Sequence, residues 1–211
     1  MNILVVNGDC IQTNSSANLC HLAYIRGLLS AGHDVTLLSA DGRDYRLDPS
    51  MTIPAEVRQY TYYGVSLYEK LSLRKKASAA AVPSVTAPVS VEASAPSLSR
   101  RVKDFVLSLY GVHGIYATFV RKAEKFRCDE DFDYVLSIST PVTSHLLTHK
   151  LLSSGHIRAK HWIQIWEDPW YSDAYGFNGK DKIYLEEKKL LSFAEKVCYV
   201  SPLTLQNQQR L

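Results

Sequence analysis

The sequence lacks the features that mark membrane-spanning and disulfide-stapled proteins. No apolar run approaches the ~20 residues that a helix needs to cross a bilayer. The four cysteines, Cys10, Cys20, Cys128 and Cys198, are scattered and form no C-x-x-C pair. The opening residues, MNILVVNGDC, carry no basic segment and are typical of a first strand rather than a signal peptide. We therefore expect free thiols and a reducing, cytoplasmic location.

Several chemical signatures are also missing. The net charge is only +3 in 211 residues, and so mild an excess does not indicate a nucleic-acid partner. The loop after the first predicted strand contains only Gly8, so it does not match the dinucleotide motif G-x-G-x-x-G, and a P-loop lysine and a G-x-S-x-G elbow are absent. His145 and His149 are four residues apart on a predicted helix but lack a third ligand such as the glutamate of H-E-x-x-H. We therefore predict no metal and no cofactor.

What the sequence does contain is an alternation of strand and helix signals. Residues 3–6 and 35–38 are continuous apolar runs, which are typical of parallel strands covered on both faces. Between them, Ser15 or Ser16 can cap a helix that Gly32 ends. This helix carries apolar residues at helical spacing: Leu19, Leu22, Ile25 and Leu29. The unit predicts an α/β fold with a Rossmann-like, doubly wound, mostly parallel sheet and helices on both faces.

The same alternation continues along one domain that spans residues 1–211. Further strands are predicted over residues 57–62, 134–139, 161–166 and 196–199. Helices are predicted over residues 102–125, 142–152, 180–194 and from Pro202 onward, with Gly111 and Gly114 weakening or kinking the first of them. Residues 77–99 are almost entirely Ala, Ser, Val and Pro, and we predict a flexible insertion there.

The candidate ligand sites are the loops that follow the strands, because ligands of open α/β sheets bind at the carboxyl ends of strands. The most distinctive loop places Glu167 and Asp168 between Trp166 and Trp170. Adjacent carboxylates between two indoles suit a site that stacks a sugar ring and accepts its hydroxyl protons. The alternative is that Asp168 caps the turn before Pro169 and that both tryptophans belong to the core.

Two further features each allow two interpretations. The helix start at Ser15 and Ser16 can offer backbone N–H groups to a hydroxyl or an anion, or the serines can serve only as caps. The basic residues at 74–76 and 100–103, which flank the insertion, can contact an anionic membrane surface, or they can simply be solvated.

Several stretches, taken in order, resemble one known family. They are residues 3–9 with the loop that runs on to Asn18, then AGHDV at 31–35, DYVLSISTP at 133–141, the strand and Asp-Pro-Trp turn at 161–170, and a helix with Glu186 and Glu187 followed by residues 194–202. Together they resemble the N-terminal, acceptor-side domain of a GT-B glycosyltransferase of the family 4 type. The likeness covers most of the chain outside residues 45–130.

The resemblance implies the retaining transfer of a sugar from a nucleotide-sugar donor to a polysaccharide or glycolipid acceptor. In that family the first domain holds the acceptor and a second, C-terminal domain holds the nucleotide sugar. That domain's acidic donor motif is missing here, so we expect a parent protein that continues past Leu211 and a chain that is inactive alone. Many members carry a catalytic histidine where this chain has the turn after Trp166, and the resemblance assigns that role to Asp168. It also implies a substrate-binding set: Gly8, Ser15, Ser16, Asn18, Glu167 and Trp170.

The alternative function is a non-catalytic α/β binding or regulatory module, because a fold alone does not determine a function. The expected partners are a sugar or lipid-linked acceptor and, through the missing domain, a nucleotide sugar. Nucleic acid is not expected as a partner. A lipid-linked acceptor would bring this cytoplasmic chain to the inner face of the membrane.

Overall fold

A computed structural model describes residues 1–66, 70, 111–171 and 181–209 of the chain. The predicted insertion at residues 77–99 lies outside the described residues. Its basic flanks and the first part of the helix predicted over residues 102–125 lie outside them too.

The strands of the described chain are β1 (Asn2–Asn7), β2 (Asp34–Ala40), β3 (Arg58–Tyr62), β4 (Asp131–Ile138), β5 (Arg158–Trp166) and β6 (Lys196–Tyr199). They form one sheet of six strands in the order β3-β2-β1-β4-β5-β6, and every pairing is parallel. The chain begins at the centre of the sheet, builds outward to β3 and then crosses to the other side of β1. This topology confirms the predicted Rossmann-like α/β fold.

The helices are α1 (Ser16–Ser30), a 3-10 helix (Gly111–Tyr116), α2 (Ala117–Ala123), α3 (Thr143–Ser153), α4 (Asp181–Phe193) and α5 (Pro202–Gln208). Two of them begin at serine caps, of which the first is one that the sequence predicts. The Ser15 side chain accepts the Asn18 N–H at 3.1 Å, and the Ser201 side chain accepts the Thr204 N–H at 3.1 Å. Gly32 follows α1 with a φ of +78°, a conformation that glycine adopts without strain.

The continuous helix predicted over residues 102–125 is wrong in its described part. Gly114 has a φ of 52° and a ψ of −138°, which is not helical backbone. The chain therefore turns there and enters α2 only at Ala117. The structure confirms the kink that Gly114 predicts.

The core lies on both faces of the sheet, because the side chains of β1 alternate between them. Ile3 and Val5 pack with α1, while Leu4 and Val6 pack on the opposite face. That second face is covered by residues of α2, α3 and α4: Phe119, Val120, Leu147, Leu151 and Leu190.

The buried stripe of α1 differs from the predicted one. Leu22 and Ile25 are buried as expected, but Leu19 is 54% exposed. The residues that α1 buries are Asn18, His21, Leu22 and Ile25, so two polar side chains continue the apolar stripe at its N-terminal end. That end of α1 lies at the carboxyl edge of the sheet, which is where the site described below is located.

None of the helices in the described part of the chain combines the length and the apolar character that a bilayer crossing requires.

Candidate functional site

The carboxyl ends of the three central strands meet at one point on the sheet edge. Asn7 of β1 is paired with Ile138 of β4, and Ile138 is paired with Ile165 of β5. The residues that follow these strands therefore converge on the N-terminal end of α1.

Glu167 is the carboxylate at the centre of this edge. Its Oε1 lies 3.2 Å from Nε2 of His21 on α1, and its Oε2 accepts the Thr140 N–H at 3.1 Å. Its own N–H donates to the Ser139 hydroxyl at 3.3 Å. The Glu167 side chain is 13% exposed, whereas that of His21 is fully buried. Glu167 thus joins three elements at the edge and still reaches solvent.

Asp168, the residue expected to act on the acceptor hydroxyl, is exposed on the same edge. Among the described residues it has no hydrogen bond or ion pair. Its carboxylate is therefore available to a ligand, as the predicted role requires. The alternative role for Asp168 was to cap the turn before Pro169. No hydrogen bond in the described chain supports that role.

The residues expected at the start of α1 have structural partners. Ser15 caps the helix, and Ser16 begins it as an exposed residue. Asn18 is buried, and its amide donates to the Cys10 carbonyl at 3.1 Å and to the Thr13 hydroxyl at 2.8 Å. These bonds hold the loop after β1 against α1. They favour the interpretation in which the residues at this helix start have a structural, capping role.

Gly8 brings two loops of the edge into close contact. Its N–H donates to the Ser144 hydroxyl at 2.8 Å, and a Cβ at this position would lie 2.8 Å from Cγ of Pro141. Gly8 is therefore needed for the approach of the β1 and β4 loops. Its N–H already has an acceptor within the chain.

The two indoles that flank the carboxylates lie in the core. Trp166 is fully buried and Trp170 is 8% exposed. The N–H groups of Trp170 and Tyr171 donate to the carboxylate of Glu187 on α4, and burial raises the pKa of that carboxyl. This finding favours the core interpretation of the tryptophans over stacking of a sugar ring.

His145 takes part in a buried network rather than a metal site. Trp162 Nε1 donates to the Ser137 hydroxyl at 2.9 Å, which leaves that hydroxyl to donate to His145 Nδ1 at 2.7 Å. Burial lowers the pKa of His145 to about 3, so the imidazole is neutral with its proton on Nε2. His149 packs against Phe193, with 4.3 Å between ring centroids. The described residues contain no group of three or more His, Cys, Asp or Glu side chains that could hold a metal ion.

Sequence reasoning missed two residues of the edge, His21 and Asn7. Both are fully buried, and both amide atoms of Asn7 lack a hydrogen-bond partner in the described chain. The signal for His21 is its position, three residues after Asn18 and four before Ile25 on the buried stripe of α1. Asn7 follows Ile3 and Val5 at the strand period of two, which places it on the face that α1 covers.

The electrostatic character of this edge is acidic. The loops after β1, β4 and β5 carry Asp9, Glu167 and Asp168 and, among their described residues, no lysine or arginine. Burial raises the pKa of the nearby Cys10 thiol to about 11, with smaller contributions from the charges of Asp9 and Asp41. The negative charges at this edge would also repel an anionic ligand.

A cleft of about 720 Å³ lies at the opposite, amino edge of the sheet. It is lined by residues that include Arg26, His33, Asp34 and Arg58. Arg26 donates to the Thr52 carbonyl, and Arg58 is paired with Glu130. The exposed Asp168 and the buried side chains of Asn7 and His21, which lack a hydrogen-bond partner in the described chain, lie at the carboxyl edge, so that edge is the better candidate site.

No protein-family model and no curated protein matches the sequence.

Proposed function

We propose that the chain is the acceptor-binding half of a retaining glycosyltransferase that moves a sugar from a nucleotide-sugar donor to a polysaccharide or glycolipid acceptor. The observation that carries the proposal is the exposed carboxylate of Asp168 beside Glu167 at the carboxyl edge of the central strands. Sheets of this topology bind their ligands at that edge. The family resemblance of the sequence supports the same assignment.

In this reaction the acceptor hydroxyl oxygen forms a bond to the anomeric carbon of the donor sugar. The bond from that carbon to the donor phosphate breaks, the phosphate leaves with the electron pair, and the hydroxyl proton passes to an oxygen of the leaving phosphate. Asp168 accepts a hydrogen bond from the acceptor hydroxyl and orients it. The donor phosphates are bound by a second domain, since the acidic edge of this chain disfavours them and Gly8 N–H is bonded to Ser144.

The second candidate is a non-catalytic α/β binding or regulatory module. It is favoured by the structural partners of four expected substrate-binding residues. Ser15, Asn18, Gly8 and Trp170 are all engaged in caps, loop contacts or the core.

Binding and transfer assays on the full chain separate the two candidates. We expect soluble oligosaccharides to bind, and Asp168→Asn to weaken binding about tenfold, because a hydrogen bond to a charged acceptor is lost. The matched control is Asp34→Asn, which removes an exposed carboxylate at the amino end of β2. Binding is measured by NMR titration and transfer by incorporation of a radiolabelled sugar from a panel of nucleotide sugars.

We expect no transfer by the chain alone. Incorporation of labelled sugar by the purified chain would contradict the assignment as half of an enzyme. Failure of every oligosaccharide to bind would favour the module. Cosedimentation of the chain with anionic vesicles tests the membrane contact that a glycolipid acceptor implies.

A further inference from the structure

The carboxyl edge contains a polar cluster that none of the expected roles explains. It consists of Asn7 at the end of β1, His21 on α1 and Glu167 after β5. All the Asn7 and His21 side-chain atoms that can hydrogen-bond are buried and lack a well-aligned partner in the described chain. Their one close polar contact in the described chain is the 3.2 Å approach of His21 Nε2 to Glu167 Oε1.

Buried polar groups without partners are rare, because each costs roughly 1–3 kcal/mol when it is left unsatisfied. Asn7 offers both a donor and an acceptor, so the occupant that fits it is a hydroxyl-like oxygen that also donates and accepts. Strand alternation places Asn7 on the face covered by α1, which is the face that carries His21. The cluster thus points to a small polar group held at this edge.

The charges around the cluster indicate which kind of ligand supplies that group. Glu167 and Asp168 are adjacent carboxylates, and Asp9 lies in the neighbouring loop. His21 is the titratable base that faces Glu167, and the Tyr24 phenol lies one turn further along α1. Burial raises the pKa of Tyr24, and the charge of Glu167 is one of the smaller causes, so the phenol stays protonated. Carboxylates accept hydroxyl protons but repel phosphates.

We infer that Glu167 and Asp168 form a subsite for a neutral vicinal diol of a saccharide acceptor, and that His21 is the residue that positions Glu167. This inference rests on the proposed function and narrows its acceptor to a neutral sugar rather than a phosphate head group. One hydroxyl of the diol donates to Glu167 and its neighbour donates to Asp168. His21 Nε2 lies 3.2 Å from Glu167 Oε1, and Thr140 N–H donates to Oε2, so the carboxylate is held in place before the ligand arrives.

The first test needs no ligand. In carbon-13 NMR spectra at constant pH we expect His21→Gln to shift the Glu167 side-chain carboxyl resonance, because the imidazole that lies 3.2 Å from that carboxylate is lost. The matched control is Glu195→Gln, which breaks the other His–Glu pair, His161–Glu195, near the amino end of β5. That control should leave the Glu167 carboxyl resonance unchanged. An unchanged Glu167 carboxyl resonance in folded His21→Gln would overturn the positioning role.

The second test uses methyl glycosides with vicinal diols as probes, and inorganic phosphate as the anionic probe. We expect at least one glycoside to bind, Glu167→Gln to weaken its binding about tenfold, and Glu195→Gln to have no effect. A comparison of two glycosides on the unaltered protein is a measurement that no folding defect can affect. The glycoside that lacks one hydroxyl of the diol should bind about tenfold more weakly than its parent.

The possible failures are distinguishable. A saccharide that binds equally well to wild type and Glu167→Gln would overturn the subsite but leave acceptor binding, and hence the proposed function, in place. Phosphate binding at this edge without glycoside binding would overturn the neutral diol and leave a lipid-phosphate acceptor. A cluster that holds only water, with no saccharide bound anywhere on the chain, would overturn both the subsite and the proposed function.

Discussion

His145 shows how one residue acquires its chemistry from burial alone. It lies on α3, fully buried, with its ring 4.4 Å from that of Trp166 and Nδ1 accepting from Ser137. An imidazole in this position cannot gain a proton without carrying an unpaired charge into the core. It therefore serves as a neutral packing group below the site.

We predict that His145 makes stability depend on pH between about 6.5 and 3. Its folded pKa is lowered, so in this window the unfolded chain binds a proton that the folded chain does not, and stability falls as pH falls. The contribution lost between about pH 7 and about pH 5 is about 2 kcal/mol. Urea denaturation at the two pH values measures it.

The comparison that isolates this residue is His145→Gln. The variant is less stable at both pH values, but its free energy of unfolding should change less between them than that of wild type. Burial also lowers the pKa of His113 and His149, so the difference between the two proteins is the relevant quantity. Equal pH dependence in wild type and variant would contradict the prediction.

At the scale of elements, the close contact between the β1 and β4 loops depends on Gly8. A Cβ at residue 8 would lie 2.8 Å from Pro141 Cγ and 3.1 Å from the Ser144 hydroxyl that accepts the Gly8 N–H. The β4 loop supports Glu167 through Ser139 and Thr140. A change in the spacing of the two loops is therefore transmitted to the carboxylate.

We predict that Gly8→Ala destabilises the chain by about 1–3 kcal/mol, because the loops must separate to admit the methyl group. The matched control is Gly27→Ala on α1, where nothing lies within 4 Å of the new Cβ. The control should stabilise the chain by about 0.5–1 kcal/mol, since alanine restricts the unfolded chain. Chemical denaturation of both variants measures the contrast, and equal effects would refute the steric role of Gly8.

Elements could be predicted from the sequence where a local pattern determines them. The apolar runs at residues 3–6 and 35–38 correspond to β1 and β2, and the Ser15 and Ser201 caps begin α1 and α5. The sequence marked Gly114 as a weak point of the predicted helix but did not predict its backbone conformation. A glycine permits a kink without requiring one.

The site was predictable only in part. The position of Asp168 and Glu167 at a strand end follows from local patterns, but the pairing of Glu167 with His21 joins residues that are distant in the chain. The Gly8–Ser144 bond likewise spans 136 positions. Local patterns contain no information on such contacts, which depend on the crossing of the chain from one half of the sheet to the other.

At the scale of the whole molecule, Glu187 joins three distant parts of the described chain. From α4 its carboxylate accepts the N–H groups of Trp170 and Tyr171 and the side-chain amide of Gln208 at the end of α5. It is fully buried, and burial raises its pKa from 4.5. The turn after β5 and the last helix are thus held by the same carboxyl group.

We predict that Glu187→Ala destabilises the chain by about 3 kcal/mol, because buried donors lose their acceptor. Hydrogen exchange should show faster exchange at Trp170 and Tyr171 and in α5. The control is Glu186→Gln, one residue away on α4, which should leave exchange at these sites unchanged. Slow exchange at Trp170 in the Ala variant would show that the carboxylate does not hold the turn.

The pKa of Glu187 is raised, whereas that of His145 is lowered, and this difference gives a second measurement. A raised carboxyl pKa means that the folded chain retains a proton that the unfolded chain has lost, so this contribution to stability declines as pH rises above 4.5. The stability difference between wild type and Glu187→Gln should therefore be larger at about pH 5 than at about pH 7. A difference that grows with pH would contradict the assigned cause.

The central position of β1 has a consequence for the order in which the protein assembles during translation. Ile3 pairs on one side with Val35 and on the other with Tyr134, and the Asn2 N–H donates to Asp133, 131 positions later. A nascent chain can form the β1–β2 pair soon after β2 leaves the ribosome. The other side of β1 waits until β4 has been synthesised, and closing so long a loop is slow. For most of its synthesis, then, the first strand presents an open edge that only a much later part of the same chain covers.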